Sequence, residues 1–377
     1  MSRLESENDV DGVRGAGEND IEGFGPLQSI LEGWTMRRLT LLAAATIAIG
    51  LAVPASAASP TDVGVVQNFG PPLAASCHNP EGIAVDPTGN VYAASFAFQP
   101  VANICVVNRR GDLVDVIPVP AGPAGVASLL GELFEAGQGL YVLDFANGAP
   151  GNGRLLLVDP GSHAVQVVAS GFQAPNGLTQ DRHRNIYISD SFQGVIFKVA
   201  PDGTTSVWKQ DPRLTPQPGT GPPFGANGVA FDRNQEFLYV ATTADAKIYR
   251  IPVLKDGTAG SLELFASGET IDATQGTTEA LHGADGIMFD VRGNLYVTAN
   301  SAQHPAPGLP GELQVLSPEG RLIARYDGVG QHDLDFPASL VFHERAVYMT
   351  NLSLTDGGTN SKLSVMGVPF PGAPLRP

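Results

Sequence analysis

The sequence predicts an all-β protein, a six-bladed β-propeller closed by an N-terminal strand. Three observations carry that expectation: a repeat of about 50 residues, four short β-rich runs in each repeat, and a spare β-run ahead of the first repeat. Six of the eight tyrosines sit in one local pattern, aliphatic-Tyr-small or aliphatic. They are Val91-Tyr92-Ala93, Leu140-Tyr141-Val142, Ile186-Tyr187-Ile188, Leu238-Tyr239-Val240, Leu295-Tyr296-Val297 and Val347-Tyr348-Met349, spaced 46 to 57 residues apart.

About eleven residues before most of these tyrosines comes a small-Xaa-Gly-aliphatic element. It reads Pro80-Glu81-Gly82-Ile83, Pro175-Asn176-Gly177-Leu178, Ala226-Asn227-Gly228-Val229 and Ala284-Asp285-Gly286-Ile287. Between the two lies a turn such as Asp86-Pro87-Thr88-Gly89-Asn90 or Asp290-Val291-Arg292-Gly293-Asn294, so each unit opens with a β-hairpin. Two further β-rich runs follow each tyrosine, as in residues 194–199 and 205–209 around Ala200-Pro201-Asp202-Gly203-Thr204. Four strands at this period are the signature of propeller blades. The sixth unit is one strand short, ending in Lys362-Leu363-Ser364-Val365, while the run over residues 63–69 has no unit of its own. That run completes the last blade and removes its open edge. The competing picture is an open sandwich with coincidental tyrosines.

Composition narrows the function classes. The 45 glycines and 30 prolines mark a turn-rich chain, and 43% apolar residues are enough to build a core. Net charge −16 opposes phosphate backbones and anionic membrane surfaces, which excludes nucleic acid as a partner. Two cysteines cannot form a disulfide scaffold, a zinc ribbon or an iron–sulfur site. In an exported chain Cys77 and Cys105 pair to pin the loop before Glu81, or stay as two buried thiols.

The N-terminal region divides in two. Residues 1–35 hold eight acids and no hydrophobic periodicity, and read as unstructured. Met36-Arg37-Arg38, the apolar run over residues 39–53 and Pro54-Ala55-Ser56-Ala57 read as a secretory signal over residues 36–57. The fifteen-residue apolar run is shorter than the ~20 residues of a membrane span, so no stable span is expected after cleavage. Met36 is the expected start, with residues 1–35 an upstream reading-frame extension or an acidic leader. Residues 58–377 are then a single propeller domain, secreted or extracytoplasmic, with the export route and the oligomeric state left open.

Rotation about one axis turns a shared register into a ring. The position before the first strand's Gly holds Glu81, Leu130, Asn176, Asn227, Asp285 and, in the last unit, Pro337 or Ala338. First strands line a propeller's channel, so two carboxylates and two amides converge at one mouth. Converging carboxylates raise each other's pKa unless a cation lies between them. Ca²⁺ fits this oxygen-only set and leaves room for water or a substrate oxygen, whereas zinc prefers sulfur and imidazole. The competing reading is that Asn-Gly and Asp-Gly are turn residues, against which Glu81 counts because Glu has no comparable turn preference.

The ordered set Glu81, Asn176, Asn227 and Asp285 resembles the senescence marker protein/gluconolactonase (regucalcin) family and the related paraoxonases and diisopropylfluorophosphatase. The segment from Ala226-Asn227-Gly228 through Leu238-Tyr239-Val240-Ala241 to Lys247-Ile248-Tyr249 is similar to the paraoxonase-like repeat. The resemblance implies a catalytic Ca²⁺ held by Glu81, Asn176, Asn227 and Asp285, with Asp285 matching the base of the gluconolactonase branch. The paraoxonases' functional His in the second blade has no counterpart, because Leu130 occupies that register.

The expected chemistry is calcium-dependent hydrolysis of a small-molecule lactone or related ester, with the ion polarising the carbonyl and Asp285 as base. His78, His282 and His332 each precede a first strand and belong at the same rim, with His282 the strongest second catalytic candidate and exposed loop histidines the bland reading. Insertions over residues 211–225 and 268–283 precede ring residues and form either a lid or substrate wall or plain insertions, while the Pro-rich stretch 302–311 is an outer connection. No G-x-S-x-G elbow, H-E-x-x-H helix, P-loop or EF-hand loop occurs. The alternatives are a non-enzymatic extracellular NHL-type binding propeller and a propeller lyase resembling virginiamycin B lyase.

Overall fold

Period-2 alternation broken by Asp, Gly and Asn turns yields, among the described residues of the computed structural model, twenty-four strands in six four-stranded antiparallel sheets. The described residues are 62–219, 221–302, 311–327, 334–354, 357–359 and 361–374. The expected leader and signal over residues 1–57, His332 and most of the 302–311 stretch lie outside them.

β1 (Val66–Phe69) precedes the first blade. Blade 1 is β2 (Pro80–Val85), β3 (Val91–Ser95), β4 (Val101–Val107) and β5 (Leu113–Pro120). Blade 2 is β6 (Leu129–Glu135), β7 (Gly139–Asp144), β8 (Gly153–Val158) and β9 (Val165–Phe172). Blade 3 is β10 (Pro175–Gln180), β11 (Ile186–Asp190), β12 (Val195–Val199) and β13 (Thr205–Gln210). Blade 4 is β14 (Ala226–Phe231), β15 (Phe237–Thr242), β16 (Lys247–Pro252) and β17 (Glu263–Ser267), after which α1 (Gly268–Gln275) leads to blade 5. Blade 5 is β18 (Ala284–Phe289), β19 (Leu295–Ala299), β20 (Glu312–Leu316) and β21 (Leu322–Tyr326). Blade 6 is β22 (Pro337–His343), β23 (Ala346–Asn351) and β24 (Lys362–Gly367), with β1 as its fourth strand. β1 pairs antiparallel with β24, Phe69 opposite Leu363, so the ring closes as the orphan run predicts.

The tyrosine repeat has two physical causes. The hairpin turns of blades 1, 3 and 5 are each tied by an aspartate: Asp86 Oδ1 accepts from the Thr88 and Asn90 amides, and Asp181 and Asp290 repeat the pattern. The hydroxyls of Tyr92 and Tyr187 donate to the second oxygen of their turn aspartates. The rings, meanwhile, reach the next blade. Tyr92 stacks on Phe134, and Tyr187, Tyr239 and Tyr296 meet Phe231, Phe289 and Phe342 edge-on, with centroids 4.8 to 5.7 Å apart. Tyr348 meets Phe69 of the closing strand at 4.9 Å. The buried apolar clusters accordingly lie between adjacent blades; one joins Tyr92, Ile104 and Ile117 to Leu129, Leu140 and Leu156. Of the two fates open to the cysteines, the disulfide is the one formed: Cys77 and Cys105, with Cα atoms 6.0 Å apart, tie the segment before β2 to β4.

Candidate functional site

The site begins with a backbone irregularity shared by all six blades. The pairing of first and second strands slips between Pro80 and Ile83, Leu129 and Glu132, Pro175 and Leu178, Ala226 and Val229, Ala284 and Ile287, and Pro337 and Leu340. Each slip leaves two residues out of the ladder, the ring residue and its successor, and such a bulge re-aims a side chain.

The glycine that follows the ring residue in five of the six blades is required by packing. A Cβ at Gly131 would lie 2.5 Å from the Asn176 carbonyl oxygen, and one at Gly177 would lie 2.5 Å from that of Asn227. Gly82, Gly228 and Gly286 face the carbonyls of Leu130, Asp285 and Ala338 in the same way. Neighbouring first strands thus touch backbone to backbone around the axis. The contact at Gly286 also identifies Ala338 as the ring residue of blade 6, with Ser339 in the glycine's place.

Hydroxyls two residues after the tyrosines clamp this seam. Ser189 donates to the Asn227 carbonyl, Thr298 to that of Ala338, and Thr350 to that of Glu81 at 2.6 Å. The next position holds the loop entering the first strand. Asp190 accepts from the Gln173 and Ala174 amides, Asp144 from the Ser128 amide, and Ser95 donates to the His78 carbonyl. Neither role is visible in the linear repeat, although the position of these residues relative to each tyrosine is a usable signal.

Glu81, Asn176, Asn227 and Asp285 are all buried, between 3% and 5% exposed. Asp285 accepts from the Asn300 amide at 2.9 Å and from Asn227. Asn227 also donates to the Thr243 hydroxyl at 2.9 Å, so its amide oxygen is the atom left for a ligand. Burial pushes the Glu81 carboxyl well above the ordinary carboxylate range, with Asp285 and then Glu132 adding repulsion. Burial also raises Asp285, and its two amide donors only partly offset the rise. Glu81 Oε2 and Asp285 Oδ1 are buried without a hydrogen-bond partner among the described residues. Two repelling carboxylates with unsatisfied oxygens, the Asn227 amide beside Asp285, and Asn176 at the same register, with no sulfur, fit a hard divalent cation such as Ca²⁺. Among the described residues no group of three or more His, Cys, Asp or Glu gathers at one point, so a cation would need the amides of Asn176 and Asn227.

One residue at this centre escapes the register comparison. Glu132 follows Gly131, at a position held in the other blades by Ile83, Leu178, Val229, Ile287 and Leu340. It is 8% exposed, both carboxylate oxygens lack a partner among the described residues, and burial raises its pKa well above normal. A cavity of about 360 Å³ continues along the channel, lined by Glu132, Leu178, Val229, Ile287 and Leu340. It reaches Asp232 and Glu344, which follow first strands, and none of the four ring side chains lines it.

The remaining candidates separate. His78 is exposed; His282 is half-buried, and its backbone carbonyl accepts from the Ser301 amide at 3.4 Å. The insertion 211–225 is packed down: Gly221 and Gly225 lie against the carbonyls of Thr243 and Leu214, and Phe224 reaches Phe192. The insertion 268–283 carries α1, whose Ile271 joins the core between blades 4 and 5 together with Ala280 and Leu281.

Residues 221–351 match the family described as the SMP-30/Gluconolactonase/LRE-like region, a span that includes Asn227 and Asp285. No curated protein matches the chain. Among solved structures, a gluconolactonase from Xanthomonas campestris is 16% identical with TM-score 0.56, over 86% of this chain and 99% of its own. A luciferin-regenerating enzyme is 13% identical with TM-score 0.58, over 83% and 99%. A calcium-binding protein, regucalcin, from Agrobacterium tumefaciens is 14% identical with TM-score 0.55, over 81% and 95%. The chain therefore has the six-bladed propeller fold seen in the gluconolactonase and regucalcin structures, and its residues 221–351 are similar to the SMP-30/gluconolactonase/LRE-like region.

Proposed function

We propose that the chain is an exported, calcium-dependent hydrolase that opens a lactone or related ester. The observation that carries the reading is the burial of Glu81 and Asp285 together, each with an oxygen no described residue satisfies. Glu81, Asn176, Asn227 and Asp285 would hold the ion. Bound there, Ca²⁺ would supply a Lewis acid for the carbonyl oxygen and for the negative charge that develops on it.

The chain's own residues supply the rest. Asp285 is the base: deprotonated, its burial makes it a stronger proton acceptor than a solvated carboxylate, and Asn300 fixes its orientation. Water adds to the carbonyl carbon as its proton passes to Asp285, and the ring C–O bond breaks to leave a hydroxy acid. The proton held by Asp285 then passes to the leaving alkoxide oxygen, and His282, three residues before Asp285, is the candidate to relay it. Export is supported by the Met36 to Ala57 pattern and by the Cys77–Cys105 bridge, which suits an oxidising compartment. N-terminal sequencing of protein recovered outside the cytoplasm should begin at Ala58; retention with an intact N-terminus would remove the export reading.

The test is a screen of lactones and aryl esters with calcium or with chelator. Hydroxy-acid product that disappears in chelator and in Asp285→Ala supports the proposal. Full turnover by a folded Asp285→Ala protein eliminates its assigned role. Product formed by elimination indicates a lyase, and the absence of any turnover leaves a binding propeller.

A further inference from the structure

Five phenylalanines form a continuous arc on the face where the ring opens. Phe96 meets Phe98 with centroids 4.8 Å apart and Phe145 at 5.8 Å. Phe145 also contacts Phe98 at 6.1 Å and Phe192 at 5.9 Å, and Phe192 stacks on Phe224 at 5.7 Å. The arc runs from blade 1 to the insertion before blade 4.

Hydrogen bonds and chain position place the arc beside the segments that lead into ring residues. The Phe96 amide donates to the Asn79 carbonyl, two residues before Glu81, and the Phe145 amide to that of Ser128, two before Leu130. Ser191, which precedes Phe192, donates its hydroxyl to the Ala226 carbonyl beside Asn227, and Phe224 lies three residues before Asn227. Phe96 and Phe145 are buried, whereas Phe98, Phe192 and Phe224 keep part of their surface exposed. Phe98 has φ of 49°, a left-handed conformation that a bulky side chain rarely adopts, and its amide donates to the Ser128 hydroxyl at 2.8 Å. The fold thus holds a strained backbone that keeps an aromatic ring at this rim.

A polyhydroxylated lactone laid on the exposed parts of Phe98, Phe192 and Phe224, which Phe96 and Phe145 back from beneath, would lose water from hydroxyls that find no partner there, while an alkyl or aryl group would gain by leaving water. We infer that the substrate of this site carries an apolar alkyl or aryl substituent, and that the arc from Phe98 to Phe224 receives it. The inference rests on the hydrolase reading and specifies its substrate class.

The experiment measures kcat/KM, in calcium, for γ-butyrolactone, γ-hexalactone, γ-octalactone, γ-decanolactone and δ-gluconolactone. Each buried methylene is worth about fourfold, so kcat/KM should rise roughly fifteenfold for every two carbons added until the arc is covered, with δ-gluconolactone no better than γ-butyrolactone. Phe192→Ala should lower the decanolactone-to-butyrolactone ratio at least tenfold, and Phe192→Leu, which keeps apolar surface, should restore much of it. A flat chain-length series, a preference for δ-gluconolactone, or an unchanged ratio in Phe192→Ala overturns the inference while leaving the hydrolase standing. If no lactone is turned over, the hydrolase reading falls and calorimetry decides the arc. γ-Decanolactone binding tenfold tighter than γ-butyrolactone, with the difference lost in Phe192→Ala, supports it; equal or absent binding overturns it.

Discussion

Replacing Glu132 with leucine should stabilise the metal-free protein. Glu132 is buried, neither of its oxygens has a partner among the described residues, and the same register holds aliphatic residues in the other blades. A buried polar group without a hydrogen bond costs about 1–3 kcal/mol on mutational scales. Burial keeps this carboxyl protonated beyond the ordinary carboxylate range, and at neutral pH that adds about 1.4 kcal/mol for each pH unit by which the unfolded carboxyl would already be ionised. Leucine has a similar volume and recovers apolar burial instead. A net gain of about 2–4 kcal/mol is expected at pH 7.5, or roughly 5 °C in the thermal midpoint. Urea unfolding of parent and Glu132→Leu in chelator reads the difference, as a shifted midpoint at constant slope. At pH 5 the gain should shrink, because both states of the parent then lie closer to protonated. A Glu132→Leu protein no more stable than its parent at pH 7.5 refutes the reasoning and indicates that the carboxyl is satisfied in solution.

Two further outcomes test the ring. Burial raises Glu81 and Asp285, so the metal-free folded state retains protons that the unfolded chain releases near pH 4; their contribution to stability is lost as pH rises from there through the elevated values of the folded state. Calcium competes with those protons, so its increment in thermal midpoint should grow between pH 5 and pH 7.5; an increment that is constant or falls contradicts the assignment. In Gly177→Ala the new methyl would lie 2.5 Å from the Asn227 oxygen and 3.0 Å from the Gly228 Cα, backbone atoms that cannot swing aside. Overpacking of this kind costs about 1–3 kcal/mol, and the calcium increment should fall with it. Gly161→Ala, whose methyl meets only the Asp159 carboxylate at 3.4 Å, should stay within about 0.5 kcal/mol of the parent in the same unfolding assay.

The two halves of the site differ in how much of them a linear reading can reach. Blade number, the closing strand and the positions of Glu81, Asn176, Asn227 and Asp285 were legible because most blades repeat the same contacts: in four a tyrosine meets the next blade's aromatic ring, and in five a glycine admits the next blade's carbonyl. A contact repeated by rotation appears as a period in the chain. Glu132 was missed because it breaks that period by a single residue, in a register that is otherwise aliphatic. The six bulges were equally hidden, since a slip of pairing leaves no mark on residue type.

By itself the order of residues determined the propeller, its closure and the four oxygen-bearing side chains of the ring, because these depend on patterns that each blade must satisfy locally. Only the tertiary structure decided that Cys77 meets Cys105, that Ala338 completes the ring, that Asp285 is held by Asn300, and that five phenylalanines from four separate segments form one cluster. The physical reason is that these meetings join segments far apart along the chain, and their partners are selected by how the blades close around the axis.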